Sequence, residues 1–157
     1  MLTSGSFDIK HVGHDRYLEL GKNLSQGGIL VVGVDDDRKI AKRKGPDRPI
    51  VPEMERVEGL CHVRHVDLIT LKSADAQQWE LIGLVKPDIL LITEETHDTE
   101  EALQKLEEFL TTFGGRYERV PPQAETSTTA RLRRFVLEIK NKVKDRLQEV
   151  IQWIDDL

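Results

Sequence analysis

Short runs of branched apolar residues alternate along this chain with longer stretches in which apolar positions recur every three or four residues. Met1, Leu2 and Thr3 open it as a short strand, and Tyr17, Leu18, Leu20 and Leu24 then follow helical spacing. Residues 29–34 read as a buried strand between Gly27-Gly28 and Asp35-Asp36-Asp37. Pro52 and Glu53 open a helix that runs to about residue 63, and 66–71 is the next strand. Residues 73–86 carry a helical pattern (Trp79, Leu81, Ile82, Val85) that Pro87 stops. A strand over 88–93, a helix over 99–113 closed by Gly114-Gly115, and a last strand over 117–120 complete the series. Strands that alternate with helices, and are apolar almost throughout, predict an α/β protein: a Rossmann-like, doubly wound parallel sheet of five strands with a long C-terminal helix. In such sheets a ligand sits at the carboxyl ends of the strands, near the switch in strand order.

The last thirty residues differ. From 128 to 157 there is no Gly or Pro, and Leu132, Val136, Ile139, Val143, Leu147, Val150 and Ile154 mark one helix face. That helix is longer than a compact domain needs for its final element. It either packs along its own sheet or pairs, through its distal half, with a second copy as a homo-oligomer; Arg146 interrupts a strict heptad. The expected division is a domain over 1–135 and a helical extension over 136–157.

At 157 residues the chain has length enough for one domain with a proper core. Charged residues make up 32% and apolar ones 38%, as in soluble globular proteins, and no run is long enough to span a bilayer. The start lacks the features of a signal peptide, and the single Cys61 cannot form an internal disulfide. A cytoplasmic protein without membrane association is the expectation. A net charge of −5 argues against a nucleic-acid partner. The balance is uneven, however: Arg38, Lys39, Lys42, Arg43, Lys44 and Arg48 crowd one loop-like stretch, a solvated loop or a positive flap over an anion.

The most informative chemistry lies near the start, where Gly5-Ser6-Phe7-Asp8 leads into His11-Val12-Gly13-His14. The two histidines stand three residues apart at a strand-to-helix junction, on one face of the first turn. Gly13 between them lets a ligand approach the backbone. The helix start adds unpaired N–H groups and partial positive charge, so the group forms a phosphate site. Lys44 on the basic stretch and Arg56 on the following helix offer further cations, and Ser127-Thr128-Thr129 opens the last helix with hydroxyls that either cap it or bind phosphate. A metal site built on His11 and His14 is the competing chemistry, with no third ligand evident besides Asp8. His62, His65 and His97 are scattered and read as surface or structural residues.

Taken in order, Gly-x-Phe-Asp-x-x-His-x-Gly-His, Lys42 and Lys44, Arg48-Pro49-Ile50 with Pro52, Glu55-Arg56, Val66-Asp67, Lys86-Pro87-Asp88-Ile89-Leu90 and Ser127-Thr128-Thr129 resemble the nucleotidyltransferases of the cytidylyltransferase-like superfamily. The resemblance covers roughly residues 1–135. It is nearest to the adenylyltransferase domain of ADP-heptose synthases and to glycerol-3-phosphate cytidylyltransferases. It implies transfer of a nucleotidyl group from ATP or CTP to a phosphorylated small-molecule acceptor, with pyrophosphate released. His11, His14 and Lys44 would then be catalytic. Gly5, Ser6, Phe7, Gly13, Lys42, Arg56, Ser127, Thr128 and Thr129 would bind nucleotide, and Asp8 would orient a histidine or place the acceptor. Mg2+ would arrive with the triphosphate rather than in a protein cage.

The pattern is broken where relatives carry a Gly-rich segment after the fourth strand. Residues 93–98 here are Thr-Glu-Glu-Thr-His-Asp, acidic and without glycine. An altered acceptor side beside a retained triphosphate side leaves two expectations: an active enzyme with an unusual acceptor, or a nucleotide-binding sensor or assembly module without turnover.

Overall fold

The computed structural model describes residues 1–94, 99–124 and 128–155; the side chains of 128–131, 133, 154 and 155 lie outside that description, as do the remaining residues. The chain divides into two compact units, Met1–Ala124 and Glu125–Leu157. The first holds β1 (Leu2–Gly5), α1 (Val12–Leu24), β2 (Val31–Asp35), α2 (Asp37–Lys44), α3 (Glu53–Cys61), β3 (Leu68–Lys72), α4 (Glu80–Val85), β4 (Ile89–Thr93), α5 (Glu100–Thr111) and β5 (Arg116–Val120). The second is the single helix α6 (Thr128–Asp155).

The five strands form one parallel sheet in the order β3-β2-β1-β4-β5. The expected doubly wound α/β architecture is therefore present. Alternation along each strand splits the core into two layers. Val32, Val34 and Leu91 pack with Tyr17 and Leu18 of α1 and Leu60 of α3 on one face. Leu2, Leu90 and Ile92 pack with Leu103, Leu106 and Leu110 of α5 on the other, joined by Leu81, Ile82 and Val85 of α4.

Strand order switches between β1 and β4, and there the pairing is shortest. Only Leu2–Leu90 and Thr3–Leu91 are in register, whereas β1 and β2 pair over four residues. The strands part above Thr3, and the Leu91 carbonyl is taken instead by side chains. Thr3 Oγ1 and the Tyr17 hydroxyl each lie 3.0 Å from it and 2.8 Å from one another; with one proton apiece, at least one of them donates to the carbonyl. Tyr17 thereby ties α1 to the switch point. At the opposite end of the sheet Asp67 accepts from Lys22 of α1 (2.7 and 2.9 Å) and from the Leu30 N–H (2.7 Å), fixing the start of β2.

Two elements differ from the sequence reading. The basic stretch is not a loop over its first half: Asp37–Lys44 is helix α2, with Asp36 Oδ1 capping it at the Lys39 N–H (2.7 Å), Asp37 in its first turn and Lys42, Arg43 and Lys44 in its last. That charge order suits the helix dipole, and Ile40 alone is buried. Residues 73–86 are not one helix either. Asp36 Oδ2 takes the Ala74 N–H (2.9 Å), Trp79 is left-handed (φ +62°), and only Glu80–Val85 is helical.

Burial pushes the Tyr17 hydroxyl up to about 12, against a smaller lowering by the Thr3 hydrogen bond. Its folded value lies above the unfolded value of about 10, so its contribution is complete below pH 10 and is lost as pH rises from 10 to 12. Tyr17→Phe is expected to cost about 1 kcal/mol at neutral pH. It should also remove up to about 3 kcal/mol of the alkaline fall in stability. Urea unfolding of both proteins at pH 7 and pH 11.5 measures this; parallel losses in the two proteins would refute it.

Candidate functional site

The loop from β1 to α1 crosses the top of the switch point. Phe7 (φ +48°) and Ile9 (φ +49°) both adopt the left-handed region, which costs a non-glycine residue on the order of 1–3 kcal/mol. The residue between them holds that shape. The Asp8 carboxylate is 1% exposed and accepts from the Val51 N–H (3.0 Å), the Ile50 N–H (3.1 Å) and Arg48 Nε (2.8 Å), with Arg48 Nη2 also on Oδ2. Burial raises its pKa, but the Val51 and Ile50 N–H groups and the Arg48 guanidinium outweigh burial and hold it below the usual carboxylate range.

Arg56 braces the same loop from beneath. Its side chain is 0% exposed, and its donors reach the carbonyls of Val51 (2.9 Å), Ser6 (2.5 Å) and Asp35 (2.8 Å) and Asp37 Oδ1 (2.8 Å). Four of its five N–H groups are therefore used within the protein. The sequence reading places Arg56 against the nucleotide; in the structure its side chain is buried under Ser6 and these donors face protein acceptors.

His11 is the N-cap of α1 rather than a first-turn residue. Its Nδ1 accepts from the Gly13 N–H at 3.1 Å, while His14 Nδ1 accepts from the His11 N–H at 3.2 Å. This is a capping box made of two imidazoles. An Nδ1 that accepts carries no proton, so in the neutral ring the proton sits on Nε2. Both histidines thus present an Nε2–H donor while neutral. Their rings lie 4.1 Å apart by centroid, and the Phe7 ring lies 5.4 Å from that of His14. Burial first, then the nearby His11, lowers His14 to about 4. Gly13 is needed for a reason the sequence did not disclose. A Cβ there would lie 2.7 Å from the Ala124 methyl and 2.8 Å from the His11 ring.

Lys44 reaches the loop from the end of α2, its Nζ 3.2 Å from Ser6 Oγ. Partial desolvation, with the Arg43 and Arg48 charges, holds it below the ordinary lysine value. Lys42 is exposed and lies about 200° around α2 from Lys44, so the structure does not bring the two together. Gly5 ends β1 beneath the Phe7 ring, and Phe7 is 4% exposed and belongs to the core. The loop residues 5–14, Lys44 and Arg56 therefore converge. Ser127 and the side chains of Thr128 and Thr129 lie outside the described residues, as do 95–98 of the altered segment. Among the described residues no three His, Cys, Asp or Glu side chains come together as a metal site, and no helix is long and apolar enough to cross a membrane.

Beside Ser6, at the carboxyl ends of β2 and β3, stands a second group that the sequence did not reveal. Asp35 (3% exposed) lies 3.3 Å from Arg43 and 3.8 Å from Lys39, and Lys72 Nζ is 3.3 Å from Ser4 Oγ. Burial, offset in part by Asp35, holds Lys72 below the ordinary lysine value.

A doubly wound sheet with a double-histidine helix start at its switch point defines an α/β domain shaped to hold an anionic ligand there. The chain belongs to the cytidylyltransferase-like family, whose model matches residues 2–149. It is 38% identical over 141 residues to the bifunctional protein HldE of Desulfatibacillum aliphaticivorans, covering 90% of this chain and 27% of that protein. It is 43% identical over 91 residues to HldE of Nitratiruptor sp., covering 58% and 19%. The chain thus spans about a quarter or less of the length of these relatives. Among solved structures, the lipopolysaccharide core biosynthesis protein from Thermoplasma volcanium superposes with a TM-score of 0.60 at 28% identity, over 80% of this chain and 96% of that one.

The cap geometry yields a spectroscopic prediction. Nitrogen-15 NMR of the imidazoles is expected to show His14 as the Nε2–H tautomer from pH 5.5 upward, titrating near pH 4. A midpoint near the ordinary 6.5, or an Nδ1–H tautomer, would refute the reciprocal cap.

Proposed function

We propose that this chain is a nucleotidyltransferase that moves a nucleoside monophosphate from ATP or CTP to a phosphorylated small molecule. A phosphate oxygen of the acceptor forms the new bond to the α-phosphorus, the bond from that phosphorus to the bridging β-oxygen breaks, and pyrophosphate leaves. The acceptor phosphate is largely ionised near neutral pH, its second pKa being about 6, so the reaction needs no strong general base. It needs fixed donors where negative charge crowds.

The observation that carries this reading is the reciprocal cap. It makes both Nδ1 atoms acceptors at the helix start, which puts each neutral ring's proton on Nε2, and Lys44 reaches Ser6 of the same loop. His11 and His14 donate to the triphosphate and to the transition state. Lys44 neutralises charge, and Ser6 and the backbone around Gly13 shape the approach. Asp8 and Arg56 hold that loop and touch no reacting atom. Ser127, Thr128 and Thr129 remain candidate β- and γ-phosphate ligands, and Lys42 an outer one. Magnesium travels in with the triphosphate, whose oxygens supply most of its ligands. The acceptor's own phosphate fits the cation surplus of Lys39, Arg43 and Lys72 around Asp35, adjacent to Ser6. The family and the HldE relatives support the transfer chemistry; the resemblance of Arg48-Pro49-Ile50 and Lys86-Pro87-Asp88 to ADP-heptose synthases favours ATP over CTP.

Two measurements test the proposal. Pyrophosphate release is expected with one triphosphate and a sugar or polyol phosphate, and His14→Ala should lower turnover about 100-fold or more while nucleotide Kd rises less than about tenfold. Nucleotide binding with no pyrophosphate from any acceptor would favour the sensor reading, and absence of binding would defeat both. Separately, Lys72→Gln is expected to raise the acceptor KM about tenfold with nucleotide Kd unchanged; an unchanged acceptor KM would remove Lys72 from the acceptor site.

A further inference from the structure

The helix α6 exposes an apolar face that its own unit does not cover. Phe135, Val136, Ile139, Val143, Leu147, Val150, Ile151 and Trp153, on or flanking that face, are all between 47% and 65% exposed. The seam is more regular than a broken heptad. Leu132 repeats at Val143 and Ile154, Val136 at Leu147, and Ile139 at Val150, each eleven residues on. Eleven residues in three turns is 3.67 per turn, close to the unstrained helix, so the stripe runs nearly straight. At about 100° per residue its seven positions stay within about 80° of arc over about 33 Å. Arg146, which breaks the heptad, sits at the stripe's edge, paired with Glu149 at 2.8 Å.

Charge says what covers it. Six of the seven charged residues of 128–144 are basic, and four of the five in 145–157 are acidic. A lipid surface would call for basic flanks along the whole length, and the acidic distal end opposes it. A parallel copy would set basic against basic and acidic against acidic. An antiparallel copy sets each basic half against an acidic half. It also brings like flanks together, which places Phe135 beside Trp153 of the second helix at both ends.

We propose that α6 is a dimerisation helix that pairs antiparallel with α6 of a second copy, the two-fold axis passing near Val143.

Sedimentation of the full chain is expected to give twice 18.0 kDa. Val143→Asp should raise the dissociation constant about 100-fold or more, because the axis sets two carboxylates against one another. The main thermal transition of the Met1–Ala124 unit should stay in place. In a Cys61→Ser background, Val143→Cys should cross-link to itself on oxidation. Val150→Cys should not, since antiparallel copies separate those residues by about 21 Å, far beyond disulfide reach. A mass of 18.0 kDa overturns the proposal. So does an unchanged mass in Val143→Asp, self-cross-linking of Val150→Cys (a parallel pair), or a monomer whose α6 instead binds phosphatidylglycerol vesicles.

Discussion

Two buried charges of opposite sign, Asp8 and Arg56, hold the site, and they do so through backbone from different loops. Asp8 collects N–H groups and the Arg48 guanidinium from the segment between α2 and α3. Arg56 collects carbonyls from the β1–α1 loop, the end of β2 and the α2–α3 loop. Each charge is compensated by dipoles and partners that burial alone would not have assembled, and removing either partner from such an arrangement costs several kcal/mol. The result ties the β1–α1 loop, the end of β2 and the α2–α3 loop to one another. This is why two left-handed, non-glycine residues persist beside Asp8: the strain at Phe7 and Ile9 is over-determined by what Asp8 grips.

The strain places chemistry. Phe7 turns its ring down into the core, so the chain rises again at Ser6 and Asp8 and delivers His11 to the first capping position of α1. Below, the hydroxyls of Thr3 and Tyr17 replace a strand partner for the Leu91 carbonyl, and β1 and β4 separate. The crevice of a doubly wound sheet is here a consequence of two hydroxyls satisfying a carbonyl that a longer β-ladder would have closed. The same Tyr17 anchors the helix whose first turn carries the two imidazoles, so crevice and donors share one fixing point.

Most of the sheet was legible because its strands are branched apolar runs flanked by Gly, Asp or Pro. Helix α2 was not, because Asp37–Lys44 offers Ile40 as its one buried side chain; cap and dipole, rather than apolar spacing, stabilise it. Residues 73–86 misled in the opposite sense. Their apolar spacing is helical, yet Asp36 captures the Ala74 N–H and the segment turns first. The His-Gly-His motif was legible as an anion site. What was not legible were the supports, since Arg48 lies 40 residues and Arg56 50 residues from the atoms they hold. Nor could Lys42 and Lys44 be told apart until their stretch became a helix, after which a spacing of two sends them to different faces.

The cap also resolves a tension in placing histidines against polyphosphate. A charged imidazolium would bind an anion more strongly, but it would have to carry a proton on Nδ1, and that proton would abolish the bond that starts the helix. The fold therefore favours neutral rings, and burial of His14 acts in the same direction. In the proposed reaction net positive charge comes instead from Lys44, which stands at the end of a separate helix and takes no part in the cap. Fixed neutral donors and a separate charge are complementary. Under the proposed transfer the donors are preorganised and would cost no reorganisation when charge shifts at phosphorus, and a charge carried on a different helix leaves the cap intact.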